Sequence, residues 1–273
     1  MDRRLTPATP RIAHVSLKGR IEVPVFTEGT PMRVAQPVVD LLRTPNGPRE
    51  RQLLLGAAFT VIDRHEGHAF GFAAKDGYCG WLPDTALSRG PTPTHWVATP
   101  GTHLYPEPKV QAPEISALSL GAEVAITASH GNWAETTQGF LPACHLLPLG
   151  QHLADPVAVA ESLLHTPYLW GGNSRAGLDC SGLVQLAYAA CGIPLPGDSD
   201  LQQGAGQDIP ADAPLSRGDL IFWKGHVAII VDDQRLIHAN GHSMSVAHEN
   251  TAACITRIAV QGGGPVTHRR RVL

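Results

Sequence analysis

A chain of 273 residues is long for one domain and comfortable for two or three small ones. Its 43 % apolar content allows a buried core, while 16 % charged residues and a net charge of −3 leave no basic surface for nucleic acid. No window approaches the roughly 18 apolar residues of a membrane span, and the 28 glycines and 23 prolines point to many turns and short strands.

The N-terminal "MDRRLTPATPRIAHV" has two arginines but no apolar stretch behind them, so it is not read as a secretory signal, and a soluble, cytoplasmic protein is expected. Further on, two stretches resemble each other: "LLLGAAFTVIDRHEGHAFGFAAKDGYCGWLPDTAL" at 53–87 and "LSLGAEVAITASHGNWAETTQGFLPACHL" at 118–146. Each opens on Leu-x-Leu-Gly-Ala, with Gly56 matching Gly121, and continues into an alternating strand, Phe59/Val61 and Val124/Ile126. Each closes on an aromatic-x-Pro phrase, "WLPDTAL" and "FLPACHL". Period-2 apolarity broken by glycine turns predicts two small antiparallel barrels. The proline-rich segments 88–96 and 147–156 separate the parts.

From about residue 151 the pattern changes. "DPVAVAESLLHTPY" offers Asp155 as helix N-cap and Pro156 at the first helical position, and it stops before Pro167. A second helix starts at Asp179–Cys180, with Leu183, Leu186, Ala187 and Ala190 on one face, and ends at Gly192. Strands follow at 218–223, 226–233, 235–240 and 244–249, joined by tight turns into an antiparallel sheet. The tail "GGGPVTHRRR" is expected to be a solvated end. The domains are thus 1–90, an N-terminal segment with the first barrel; 91–150, the second barrel; and 151–273, an α+β domain with helices first and sheet after.

Five cysteines stand far apart with no C-x-x-C, which argues against a zinc knuckle or redox motif. Cys180 is placed apart by its position in the first turn of its helix. Unpaired backbone N–H groups and the positive end of the dipole favour a thiolate there, and the same groups can hold an oxyanion. A thiolate nucleophile needs a proton carrier. His226 opens the apolar strand "HVAIIV", and His238 ends the apolar part of "RLIHAN". Pairing about the turn at 232–234 would set these two side by side, His226 carrying protons and His238 holding its ring. The same residues taken singly also fit packing and surface roles. His238, His242 and His248 are disfavoured as a metal site because no acid or cysteine stands at ligand spacing and the phrase is on a hairpin. "HEGH" at 65–68 has the wrong spacing for the helical zinc motif.

"PYLWGG", "DCSGLV", "RGDLIFW…HVAIIV" and "LIHAN", in that order over about 155–260, resemble the NlpC family of papain-like cell-wall cysteine peptidases. The resemblance implies a Cys–His–polar triad at Cys180, His226 and His238 and no cofactor. Two bacterial SH3-like domains ahead of such a domain are similar to the γ-D-glutamyl-L-diamino-acid endopeptidases, or dipeptidyl-peptidase VI-like enzymes. These trim murein peptides in recycling by cutting between γ-D-Glu and the diamino acid to release L-Ala-γ-D-Glu. By that resemblance Asp179 and Ser181 contact substrate, as do Asp198 and Ser199 of "PGDSD", with Trp170 as a wall. Tyr78 and Glu50 of the first barrel would receive the free amine of the N-terminal L-Ala. The implied substrate is a murein tripeptide or tetrapeptide, with diaminopimelate as the diamino acid. A non-catalytic wall-peptide binder and an amidase or acyltransferase of the same fold stand as the alternatives.

Overall fold

A computed structural model of the chain describes residues 1–272, which divide into two compact units, Met1–Leu149 and the part from Gly150 onward. In the first unit, seven antiparallel strands form one sheet in the order 49–54, 38–42, 79–83, 68–73, 58–65, 30–34 and 87–88. Alternation along these strands turns Val39, Leu41, Phe59, Val61 and Leu82 into one core. Residues 95–148 form three smaller sheets around a second core that includes Val97, Leu118 and Leu141.

The internal repeat is visible in the backbone. Gly56 and Gly121 take matching left-handed φ values of 82° and 86°. The two aromatic-x-Pro phrases make the same structure: a strand ending in Pro83 or Pro142, then a 3-10 turn, Asp84–Ala86 or Ala143–His145, then a short strand. Among the N-terminal residues, Ile12–His14 pairs in parallel with Val25–Thr27, an arrangement that sequence periodicity does not signal.

The second unit starts with helix α1 (Pro156–Ser162), whose N-cap Asp155 accepts from the Val157 N–H at 2.9 Å. Helix α2 (Cys180–Ala190) is buried on almost every face, with Leu183, Val184, Leu186, Ala187 and Tyr188 all in the core. The short helix α3 (Ser199–Gln202) follows. The sheet has six strands: β1 (Gln207–Asp208), β2 (Leu220–Trp223), β3 (His226–Ile230), β4 (Arg235–Asn240), β5 (Ser245–Asn250) and β6 (His268–Arg271), in the order β1-β6-β2-β3-β4-β5 and antiparallel throughout.

One expectation needs correction. The arginine-rich tail is not a solvated end but strand β6, hydrogen-bonded between β1 and β2. Its charges are matched locally: Arg271 pairs with the buried Asp219 at 2.6 Å and Arg270 with Asp208 at 2.9 Å. A run of arginines forms a strand here because Arg270 and Arg271 reach acids and Arg269 donates to the Ala211 carbonyl at 2.6 Å, while the backbone completes the ladder. Helix α4 (Thr251–Val260), in a stretch given no assignment from the sequence, is capped by Asn250, which accepts from the Ala253 N–H at 3.0 Å. It lies in a segment rich in β-branched residues and was not legible as a helix. Cys254, Ile255 and Ile258 pack it onto the sheet beside Ile230 and Leu236.

Gly56 combines a positive φ with a close approach, since a Cβ there would stand 2.2 Å from the Glu123 carbonyl oxygen. Gly56→Ala should therefore destabilise the first unit by more than about 1 kcal/mol in denaturant unfolding; an unchanged midpoint would show that the two segments separate freely.

Candidate active site

The site is assembled around the N-terminus of α2. Asp179 caps the helix: its Oδ1 accepts from the Gly182 N–H at 2.7 Å and from the Ser181 hydroxyl at 3.0 Å, and its Oδ2 accepts from the Gly171 N–H at 2.9 Å. One carboxylate thus fixes both the helix terminus and the glycine turn before it. Gly182 is required by packing, because a Cβ would lie 2.4 Å from the Gly172 carbonyl oxygen.

Cys180 occupies the first helical position and is 7 % exposed. Backbone N–H groups of Val227, Ser181 and Cys180 itself face the thiol and lower its pKa, but burial and the neighbouring Asp179 carboxylate outweigh them and push it up to about 12. The helix terminus alone would favour a thiolate; in this site the resting group is the protonated thiol. All five cysteines are free, and the exposed one is Cys144.

His226 is set by a two-residue turn in which Trp223 pairs with His226 and Gly225 takes a φ of 76°. Its ring lies against Trp223, 5.6 Å between centroids. The register pairs Ile229 with Ile237 and Ile230 with Leu236. Continued along the strands it sets His238 across from Ala228, so the two histidines are diagonal neighbours on one face of adjacent strands, side by side as expected. Diagonal spacing still allows two rings to meet, and His226 Nε2 lies 2.9 Å from His238 Nδ1. His226 Nδ1 remains as the nitrogen not engaged with His238.

Behind His238, which is 1 % exposed, stands an ion pair that the sequence did not suggest. Glu249 is clamped by Arg257, with Nε–Oε1 at 2.8 Å and Nη2–Oε2 at 2.7 Å. Glu249 Oε2 is 3.2 Å from His238 Nε2, near enough for strong attraction though off the line of a hydrogen bond. The Arg257 guanidinium holds the Glu249 carboxyl down at about 2. Together with Cys254, these ligand atoms lie within 4.8 Å of one another. Arg257 also reaches the Cys254 sulfur at 3.6 Å, so a cation already balances the cluster, which fits an ion pair rather than a metal centre. His248 faces the other side of the sheet, opposite Ile237, and pairs with Glu161 at 3.1 Å.

Tyr168 is a second addition. Its backbone is held by hydrogen bonding to Met244 and by a bridge to Leu178. Its phenol is pushed up to about 12 by burial first and then by Cys180 and Asp179, which places a permanently protonated hydroxyl in the field of the thiol. The "PY" before "LWGG" was the available signal. His226 also opens on a cavity of about 460 Å³ shared with Lys224, Asn240, His242 and Arg257. A hollow of about 70 Å³ in the first unit, between Arg33, Gly56 and Glu123, is too small for a peptide.

The remaining expected site residues separate. Ser181 and Ser199 are buried; α3, which Asp198 precedes, is tied to α2 by Gln202, whose Nε2 donates to the Ser181 carbonyl at 3.0 Å. Trp170, 71 % exposed, stands out from the glycine turn. Asp179 and Ser181 make the cap hydrogen bonds given above, and Asp179 in this way holds the start of α2. Tyr78 is not a surface residue: it is 2 % exposed, belongs to the core of the first sheet and lies under Arg51, 4.9 Å from the guanidinium carbon to its ring centre. Arg51 is fixed there by a buried ion pair to Asp76 at 2.5 Å. Glu50 does not offer a free carboxylate, because Arg3 holds both its oxygens and Arg43 stands 3.7 Å away. Of the two residues expected to receive the amine, Tyr78 is thus packed and Glu50 is paired with Arg3.

Burial pushes His226 down to about 3, with the neighbouring His238 adding to it, and burial likewise pushes His238 down to about 4 against the attraction of Glu249. Both rings are neutral in the folded state at pH values where a free imidazole, near 6.5, is charged. As pH falls below 6.5 the unfolded chain takes up protons that the folded site refuses, so stability declines. Melting temperature should fall between pH 6.5 and 4, and a His226→Gln/His238→Gln variant should show a flatter decline over that window; parallel declines would contradict a buried neutral pair.

Comparison with known proteins places these features. Residues 165–261 match the NlpC/P60 family and residues 41–87 the bacterial dipeptidyl-peptidase Sh3 domain. The chain is 32 % identical over 152 residues to dipeptidyl-peptidase 6 of Lysinibacillus sphaericus, covering 49 % of this chain and 56 % of that protein. It is 27 % identical over 231 residues to γ-D-glutamyl-L-lysine dipeptidyl-peptidase of Bacillus cereus, covering 72 % and 69 %. The matched part thus spans little more than half of the first of these relatives. In fold it is similar to the crystal structure of an NlpC/P60 family protein from Bacillus cereus, with TM-score 0.76 and 21 % identity, covering 89 % of this chain and 100 % of that one.

Proposed function

We propose, from the match of residues 165–261 to the NlpC/P60 family and of 41–87 to the bacterial dipeptidyl-peptidase Sh3 domain, a cysteine peptidase that hydrolyses the γ-D-Glu–diamino acid bond of murein-derived peptides and releases L-Ala-γ-D-Glu. The observation that carries this reading is the placement of a buried thiol at a helix N-terminus, faced by the Val227 N–H next to His226, with His226 bound to His238 at 2.9 Å. The names of the relatives, γ-D-glutamyl-L-lysine dipeptidyl-peptidase and dipeptidyl-peptidase 6, support the bond and the dipeptide product.

The reaction follows from the geometry. His226 Nδ1 takes the Cys180 proton as the sulfur attacks the γ-carbonyl carbon, which avoids leaving an isolated thiolate in a site where burial opposes charge. The carbonyl electrons move onto oxygen, and N–H groups at the start of α2, with the Tyr168 hydroxyl, provide donors for that oxyanion. The imidazolium then protonates the departing amine, the C–N bond breaks and an acyl-enzyme remains. Water, deprotonated by the now neutral His226, hydrolyses the thioester and restores the thiol. The leaving group must depart beside the residue that protonates it. The cavity that His226 shares with Lys224 and His242 has one ammonium, that of Lys224, on its lining to suit a diamino acid carrying a carboxylate.

We read the diamino acid as diaminopimelate and the physiological work as recycling of released wall peptides in the cytoplasm. Cell fractionation with an antibody to the chain tests the location, with the soluble cytosolic fraction expected. The second repeat we read as another SH3-like barrel with a bracing role. A requirement for a free N-terminal amine would need an ammonium to displace Arg3 from Glu50, so the proposal rests on the scissile bond and not on the amine end. Equal rates on free and N-acetylated tripeptide would agree with the pairing of Glu50, whereas a strong loss on acetylation would show that the pair exchanges.

Replacing Cys180 by alanine should abolish release of L-Ala-γ-D-Glu from a murein tripeptide by at least about a thousandfold, with circular dichroism and melting unchanged in kind. Product analysis by mass spectrometry decides it, and unaltered turnover would remove the assignment.

A further inference from the structure

A histidine that accepts a proton through one nitrogen must carry its own hydrogen on the other. Which nitrogen of neutral His226 is bare is therefore a question about its neighbours. Its Nε2 faces His238 Nδ1 at 2.9 Å, and two neutral imidazoles in contact must present one N–H and one lone pair. His238 decides which, and His238 is in turn faced by Glu249, 3.2 Å from its Nε2.

Glu249 is ionised and acceptor-only. Arg257 binds both of its oxygens, at 2.8 and 2.7 Å, and lies on α4, which is fixed to the sheet by Cys254, Ile255 and Ile258. A bare ring nitrogen pointed at a carboxylate oxygen at this range would set lone pair against lone pair, whereas an N–H there is attracted even off the ideal line. His238 therefore carries its hydrogen on Nε2, which leaves Nδ1 as an acceptor. His226 must donate to it through Nε2–H, so His226 Nδ1 is bare and able to take the thiol proton. The strand pattern builds the relay: His238 pairs with Ala247, so Glu249, two residues on, shares its face.

We propose that Glu249 and Arg257 are positioning residues that set the tautomer of His226 through His238. The inference rests on the reading of Cys180 and His226 as nucleophile and proton carrier. No proton travels to Glu249: one proton passes from Cys180 Sγ to His226 Nδ1, and the resulting imidazolium keeps its Nε2–H bond to His238. Arg257 keeps the carboxylate oriented and unable to rotate away or take the His238 proton for itself. Without the carboxylate, His238 is free to turn its hydrogen to Nδ1. His226 then carries its hydrogen on Nδ1 and cannot accept another there.

The test compares full-length protein, 15N-labelled at histidine, with its Glu249→Gln and Glu249→Asp variants. The His226 ring is assigned by difference against His226→Asn. In the unaltered protein, long-range 1H–15N correlations should show His226 with hydrogen on Nε2. In Glu249→Gln, whose amide can also donate, the Nδ1–H form should appear, and kcat on a murein tripeptide should fall at least about tenfold with KM little changed. Glu249→Asp should keep the tautomer and recover part of kcat. Should Glu249→Gln fail to fold, Arg257→Lys, which retains the charge but loses the fork, should show an intermediate shift in tautomer population. An unchanged His226 tautomer in Glu249→Gln, or Nδ1–H already dominant in the unaltered protein, would overturn the proposal whether or not activity changes. The spectra need no substrate, so they fail independently of the peptidase reading.

Discussion

The contact between His226 and His238, 2.9 Å across two neighbouring strands, is the constraint on which the site depends. It consumes one nitrogen of each ring and leaves a single nitrogen of His226 for chemistry. It is formed in a buried environment in which neither ring accepts charge readily. Its surroundings support that contact without protonation: the tight turn at Lys224–Gly225 that starts β3 on His226, the tilted ring contact with Trp223, and the Glu249–Arg257 pair that closes the far side.

Burial determines the character of the thiol as well. A helix N-terminus lowers the energy of a thiolate, but burial and the neighbouring Asp179 carboxylate push the Cys180 thiol up on balance. Asp179 cannot be dispensed with for that reason alone, since it holds the start of α2 and the Gly171 turn together. The structure thus trades a standing thiolate for rigid geometry, and proton transfer coupled to attack is the consistent consequence. A thiol that is neutral at rest is also poorly reactive towards oxidants and alkylating agents that approach without the substrate.

Much of this was legible in the sequence because it depends on local rules. Asp155 followed by Pro156 starts α1, and Asp179 followed by Cys180 starts α2. The repeated aromatic-x-Pro phrase makes the same strand-turn-strand twice in the first unit. The strands carrying His226 and His238 were located by their apolar runs. What was illegible depends on partners distant in the chain. The tail arginines look solvated until Asp219 and Asp208 are seen beside them. Helix α4 is hidden by its β-branched residues and stabilised by the sheet it covers. Glu249 and Arg257 acquire meaning only through the β4–β5 register and the packing of α4. The surroundings of Tyr78 and Glu50 were also hidden, because a motif position does not reveal that a ring is packed beneath Arg51 or that a carboxylate is held by Arg3.

The central claim is that the Cys180 sulfur becomes covalently bound to the γ-carbonyl of the substrate. Rapid mixing of the full chain with a γ-D-Glu–diamino acid tripeptide, acid quenching within a turnover, and mass spectrometry of the intact protein and its fragments tests this directly. The account predicts a transient mass gain equal to an L-Ala-γ-D-Glu acyl group, confined to the fragment containing Cys180. Turnover of the tripeptide with no adduct under any quench time, or an adduct on another residue, would contradict it.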